Sequence, residues 1–185
     1  NTMGTDTIAA WGVCDKLDML IWLLADAMGP ALTTYTAQNM GAGRWDRVCK
    51  GNRIGAAMSV AAVGTVSLGL YFLTAPLGGL FVRVQDAAAV VPQAVAFMRR
   101  MAPFFLFYAL AESFSGACCG TGDTVRPMIL TLLSICLLRV LGILLVLPRQ
   151  HTMECIIDIY ISSWIAAGIG FLILWQWEKN RVQKT

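Results

Sequence analysis

Long apolar stretches alternate with short polar segments along most of this chain. A helix needs roughly 20 residues to cross about 30 Å of hydrocarbon. The pattern predicts five membrane-crossing helices, which cover residues 7–37, 54–81, 86–119, 125–147 and 153–177. The first is the least apolar, and the third begins as an amphipathic helix. The predicted fold is therefore an all-α, polytopic membrane helix bundle that includes residues 1–185 as one domain.

Composition favours a membrane environment over water. Hydrophobic residues make up 57% of the 185 residues and charged residues only 14%, whereas soluble domains average about a quarter charged residues. Mean hydropathy is +0.66. A bilayer accepts this apolar surface because each helix satisfies its own backbone groups. The six cysteines and the single histidine lack the spacing of a zinc site or a disulfide framework, so no metal site is expected.

Basic residues are distributed unequally between the loops on the two sides of the predicted membrane. One side would hold Arg44, Arg47, Lys50, Arg53, Arg126, Lys179, Arg181 and Lys184. The other side would hold Arg83, Arg99, Arg100 and Arg149. Because the more basic loops usually lie in the cytoplasm, we expect an outer N-terminus and a cytoplasmic C-terminus. The predicted location is the inner (plasma) membrane of a bacterium.

The first helix carries three acids, Asp15, Asp18 and Asp26. At about 100° per residue, Asp15 and Asp26 differ by roughly 20°, and Asp18 lies about 60° to the other side of Asp15. Ionisable groups at membrane depth usually face a cavity or a partner, so Asp26 is predicted to line a cavity that receives cations. Asp15, beside Lys16, is predicted to be solvated near the headgroups. For Asp18 both interpretations stay open.

A kink is predicted close to Asp26. Pro30 follows Gly29, one turn after the acid. Proline has no backbone N–H and leaves one helix carbonyl without its donor. A kink beside an acid would suit a moving part of a transport site.

The third helix combines an acid with two aromatic rings. Phe105 and Tyr108 precede Glu112 at one-turn spacing on nearly the same face. This arrangement would suit a lipophilic cation, through charge pairing and cation–π contact, and it would also suit exchange of a proton for a cation. The alternative is an aromatic packing stripe, with Glu112 tied to a neighbouring helix.

The fourth helix places Arg139 within an apolar run, where it needs a partner. The carboxylates available in this chain are those of Glu112 and Asp26. We expect a structural ion pair with one of them, and the alternative is a role in relaying charge.

Two glycine-containing turns carry a resemblance to a known family. Residues 37–47 read AQNMGAGRWDR, similar to the Q-N-x-G-A-G-[RK]-x-x-R turn of multidrug and toxic compound extrusion (MATE) transporters. Residues 116–124 read GACCGTGDT, which resembles the G-x-L-x-G-x-G-D-T turn of the same family. Arg139 followed by Pro148 resembles its next helix. The turn glycines, whose role is to end helices, are Gly41, Gly43, Gly120 and Gly122.

This resemblance implies a place within a larger molecule. MATE transporters have twelve helices in two six-helix lobes, and the chain resembles the last five helices of the C-terminal lobe. The start at Asn1 rather than at Met agrees with a fragment whose N-terminal lobe is missing. Some members of the family use an acid at the position of Tyr108, one turn from Glu112. The coupling acids of others lie in helices that this chain lacks.

The resemblance also implies a function. The protein would expel small organic, often cationic, compounds in exchange for H⁺ or Na⁺ by alternating access, with no cofactor. Its partners would be the lipid bilayer, the substrate and the missing lobe, with no nucleic acid. Two alternatives stay open: a flippase for lipid-linked oligosaccharides, and a membrane scaffold without transport activity. An enzyme is not expected, since the chain shows no nucleophile–base pair or phosphate-binding loop.

Overall fold

The computed structural model describes residues 4–148 and 151–182, and this part of the chain is a bundle of helices. The elements, in chain order, are α1 (Thr5–Gly41), α2 (Trp45–Gly78), α3 (Ala87–Met101), a 3₁₀ turn (Ala102–Phe104), α4 (Phe105–Gly120), α5 (Val125–Thr131), a π-helical segment (Leu132–Leu137), α6 (Leu138–Leu145) and α7 (Met153–Val182). The predicted all-α membrane bundle is confirmed. Arg149 and Lys184, used above to predict orientation, lie outside the described residues.

Four helices in the described part of the chain are long and apolar enough to cross a membrane, rather than the five predicted. They are Trp45–Gly78, Ala87–Gly120, Val125–Leu145 and Met153–Val182. The first helix is 37 residues long, or about 56 Å at 1.5 Å per residue, but its acids and the threonines within 33–36 lower its hydropathy. Its membrane crossing therefore stays a prediction.

Polar groups of α1 find partners inside the bundle. Thr36 and Asn52 are both fully buried, and the Nδ2 atom of Asn52 donates to the hydroxyl of Thr36 over 2.8 Å and to the carbonyl of Val48 over 3.0 Å. Such hydrogen bonds compensate for removing polar groups from water. They fix α1 against the start of α2, close to the connection between the two helices.

The helix α2 begins earlier than predicted. It starts at Trp45 rather than near residue 54, so Arg47, Lys50 and Arg53 project from its first turns and are not in a loop. The connection consists of a tight turn in which Gly43 has φ of 67°, the left-handed conformation that glycine adopts at little cost. Gly41, by contrast, is the last residue of α1.

Close backbone contact between α1 and α4 occurs at a seam of small residues, formed by Gly29, Thr33 and Thr36 on α1 and Gly116 and Gly120 on α4. A Cβ atom at Gly116 would lie 2.2 Å from the carbonyl oxygen of Gly29, and one at Gly120 would lie 2.6 Å from that of Thr33. The hydroxyl of Thr33 lies 2.9 Å from the carbonyl oxygen of Gly29 and 3.0 Å from that of Gly116. Small residues permit this approach of helices in lipid.

The second glycine turn is held by charges at the end of α7. Arg126 contacts Asp123 over 2.8 Å and the fully buried Glu178 over 3.0 Å, and Arg181 contacts Glu178 over 2.8 Å. Burial alone would raise the pKa of Asp123, but hydrogen bonds from the Arg126 backbone N–H and from Glu178, together with the Arg126 charge, lower it. Within the turn, Gly122 has φ of 94°.

The segment 125–145 lies at the edge of the bundle. Most of its apolar side chains are exposed, including Leu133 at 52% and Leu144 at 64%. An apolar surface of this kind requires lipid or another protein surface, since water would penalise it.

Candidate functional site

Asp26 projects from the middle of α1 and is exposed. The hydroxyl of Tyr108 on α4 donates a hydrogen bond to Oδ1 of Asp26 over 2.6 Å. A short hydrogen bond to a carboxylate is among the stronger ones in proteins, and it holds the side chain at the seam between α1 and α4. The second oxygen, Oδ2, takes part in no hydrogen bond with another described residue, so it is available to a ligand.

Aromatic rings lie behind this carboxylate. The Trp22 ring meets the Tyr108 ring edge-on, with centroids 4.4 Å apart. Trp22 also contacts Phe105 at 6.2 Å and Trp164 of α7 at 5.7 Å. Phe105 is fully buried, so it packs behind the Trp22 ring and does not line a cavity. Trp22, which is half-buried, is the ring that a cation beside Asp26 would meet.

Glu112 lies one turn beyond Tyr108 and is half-buried. Its carboxylate rests against α1, since a Cβ atom at Gly29 would be 3.5 Å from Oε2 of Glu112. It forms no hydrogen bond or ion pair with another described residue. Its contact with the neighbouring helix α1 is thus a packing contact with Gly29. Two acids from different helices, Asp26 and Glu112, face the same seam.

The backbone carbonyl of Asp26 lacks the N–H donor that it would have in a regular helix. The helix α1 continues through Pro30, which cannot donate to the carbonyl of Asp26, four residues earlier. A carbonyl and two carboxylates are oxygen ligands of the kind that hard cations prefer. The described residues contain no cluster of three or more His, Cys, Asp or Glu side chains that could hold a metal ion. The predicted kink at Pro30 stays a prediction.

The other two acids of α1 have different surroundings. Asp15 is exposed, whereas Asp18 is only 5% exposed, which excludes the solvated alternative for Asp18. Its Oδ1 atom is buried and has no hydrogen-bond partner among the described residues. An unpartnered buried carboxylate oxygen is costly, and a bound proton or cation would remove that cost.

Arg139, in α6, does not form the expected ion pair with Glu112 or Asp26. Its Nε donates to the hydroxyl of Ser163 on α7 over 2.9 Å. Its guanidinium lies over the ring of Tyr160, 4.1 Å from the centroid, and 6.0 Å from that of Trp164. Within the described part of the chain, the partners of Arg139 are thus two aromatic rings and a hydroxyl, and not the expected carboxylate.

Comparison with known proteins decides the family. The model of the MatE family matches residues 1–145, more than three quarters of the chain. The chain belongs to the MATE family. MATE is a family of transporters, and the apolar helices described above fit an integral membrane protein. The family resemblance inferred from the two glycine turns is confirmed.

A curated relative agrees with this assignment. The chain is 20% identical over 189 residues to a protein of Bacillus subtilis (strain 168) named probable multidrug resistance protein YoeA. The match includes the whole chain but only 40% of that relative. The MATE chain described here therefore spans less than half the length of the relative that it matches.

Two features of this MATE chain were missed by sequence reasoning. Gly116 and Gly120 form a G-x-x-x-G pattern in an apolar helix, a known signal for close helix packing, but Gly120 was interpreted as a turn residue. The partners of Arg139 were also missed. Tyr160 and Trp164 lie four residues apart on α7 with Ser163 between them, and this combination of aromatic rings and a hydroxyl could have indicated an arginine site.

Proposed function

We propose that this chain contributes a cation-binding wall to a MATE antiporter that expels small organic cations in exchange for H⁺ or Na⁺. The observation that carries this proposal is the Asp26 carboxylate, which is exposed halfway along α1, hydrogen-bonded by Tyr108 and flanked by the Trp22 ring. An organic cation would pair with the free oxygen of Asp26 and contact the ring of Trp22. Both interactions strengthen when water is excluded.

Coupling to an ion follows from competition for the same acids. Asp26 and Glu112 have unfilled acceptor positions at the seam, and Asp18, about two turns before Asp26 on α1, has an unpartnered oxygen. When protons or Na⁺ ions occupy these groups, the local negative charge falls and an organic cation binds less tightly. Loading from the outside and release inside would then drive the organic cation outward, as alternating access requires.

The remainder of the transporter would complete the cavity. In the proposed arrangement a second lobe, outside this chain, faces the side of α1 that carries Asp26 and covers it from lipid. The C-terminus would lie in the cytoplasm of a bacterial cell, since the basic starts of α2 and α5 and the basic end of α7 share one side.

One observation favours a second candidate function. Arg139 has no carboxylate partner among the described residues and lies on the rings of α7. An arginine of this kind can bind a diphosphate, as a flippase for lipid-linked oligosaccharides would require. Asp26 and Glu112 oppose this alternative, because two carboxylates repel such an anion.

The proposed function is tested with the full-length protein in proteoliposomes. Ethidium movement is followed under an imposed H⁺ or Na⁺ gradient, and movement of a fluorescent lipid-linked diphosphate is followed in parallel. We expect ethidium to be moved against its gradient only when one of the ion gradients is present. Movement of the diphosphate lipid alone would support the flippase instead, and movement of neither compound would support a scaffold.

A further inference from the structure

A basic pocket lies between the start of α2 and the end of α7, at the end of the bundle that carries the Gly43 turn. Its volume is about 400 Å³. Its lining includes three cations, Lys50, Arg53 and Lys179, and one carboxylate, that of Asp46. Its floor is apolar and comes from α4 and α7, with Phe114, Leu172 and Trp175. The proposed transport site does not include any of these residues.

The positive charge of this pocket is not neutralised internally. Asp46 interacts with Arg44 at 3.5 Å, a residue outside the lining. Lys50 and Arg53 form no ion pair or hydrogen bond with another described residue. Within the same part of the chain, the hydrogen bond of Lys179 goes to the neutral Gln176, over 3.4 Å. The positive end of the α2 helix dipole lies at the same place. Three cations without an acidic partner are a site for an anion.

The apolar floor of the pocket indicates which class of anion would bind there. The Trp175 ring, 4% exposed, contacts Trp45 at 6.2 Å and Phe114 at 6.3 Å. Both helices that form the walls, α2 and α7, are membrane-spanning candidates. Exposed apolar side chains continue from the pocket along these helices, with Ile54 at 48% and Ile173 at 65% exposure. A charged mouth above an apolar wall matches a lipid, whereas a free phosphate ion would need no such wall.

We propose that this pocket binds the phosphodiester headgroup of an anionic membrane lipid, with Lys50, Arg53 and Lys179 contacting the phosphate and the acyl chain lying along α2 and α7. Basic pockets between membrane helices are established sites for anionic headgroups. This inference is independent of the transported substrate. The pocket lies at one end of the bundle, whereas the proposed transport site lies halfway along α1.

Native mass spectrometry of the full-length protein in detergent tests this proposal, with dioleoyl phosphatidylglycerol as the probe. We expect Lys50→Gln/Arg53→Gln to bind this lipid roughly 30-fold more weakly than the unmodified protein, since each cation near an anionic surface contributes a factor of about five. The matched control, Lys16→Gln/Arg83→Gln, removes two cations from the pocket at the other end and should bind normally.

Three results would overturn the proposal. They are equal weakening in the two double variants, equal binding of dioleoyl phosphatidylcholine, and displacement of the lipid by inorganic phosphate at similar concentration. If Lys50→Gln/Arg53→Gln is not recovered as a folded protein, Lys179→Gln replaces it, with an expected loss of about fivefold. Unchanged binding in that variant would likewise contradict the assignment.

Discussion

Replacing Gly116 with alanine is expected to destabilise the bundle by about 3 kcal/mol, near the upper end of the usual cost of overpacking. The added Cβ atom would lie 2.2 Å from the carbonyl oxygen and 2.9 Å from the Cα atom of Gly29. These are backbone atoms of a helix and cannot rotate away as a side chain can. Relief would require α1 and α4 to separate, and this would also move Asp26 away from Tyr108.

The matched control for this change is Gly12→Ala, also a glycine-to-alanine substitution within a helix. No atom lies within 4 Å of the position of a Cβ atom at Gly12, and alanine favours the helix by about 0.5–1 kcal/mol. The measurement is the apparent melting temperature of the full-length protein in detergent. We expect Gly116→Ala to lower it and Gly12→Ala to leave it unchanged or raise it slightly. Equal melting temperatures would show that the helices do not approach closely at Gly116.

Replacing Asp26 with asparagine is expected to reduce gradient-driven efflux of an organic cation by at least about tenfold. The substitution keeps the shape and the acceptor for the Tyr108 hydroxyl but removes the charge that pairs with the cation. A charge pair shielded from water typically contributes more than 1.4 kcal/mol, which corresponds to a factor of ten. Initial rates in proteoliposomes, at equal protein incorporation, measure this effect.

Two further variants separate charge from position. Tyr108→Phe keeps the ring against Trp22 but loses the hydrogen bond to Asp26, so it should reduce efflux less than Asp26→Asn does. Asp15→Asn removes a charge from an exposed position on the same helix and should transport at the unmodified rate. If Asp26→Asn also retains full transport, Asp26 is not the acid that pairs with the transported cation.

The sequence predicted which segments are helical wherever hydropathy was sufficient. It did not predict where those helices begin and end. The segment from Trp45 to Arg53 is rich in charge, which predicted a loop. It is nevertheless the start of α2, because Val48 and Asn52 are buried one turn apart inside the bundle. The π-helical segment at Leu132–Leu137 has no marker that hydropathy could detect.

Side-chain positions were predictable within a helix and less so between helices. Helical spacing placed Tyr108 and Glu112 on one face of a helix, and it made Asp26 a candidate for a cavity. The hydrogen bond between Asp26 and Tyr108 depends on the relative rotation and depth of α1 and α4, which periodicity does not specify. The same limit explains the error at Arg139: the face of α7 that it meets carries Tyr160 and Ser163, and no carboxylate.

Binding of tetraphenylphosphonium to the full-length protein in detergent most directly tests the claim that Asp26 and Glu112 form a cation site. We predict that Asp26→Asn/Glu112→Gln weakens binding about 30-fold, equivalent to roughly 2 kcal/mol. The control Asp15→Asn/Asp86→Asn, which also removes two acids but from exposed positions, should bind as the unmodified protein does. Equal affinity in the Asp26→Asn/Glu112→Gln variant and the unmodified protein would contradict the account.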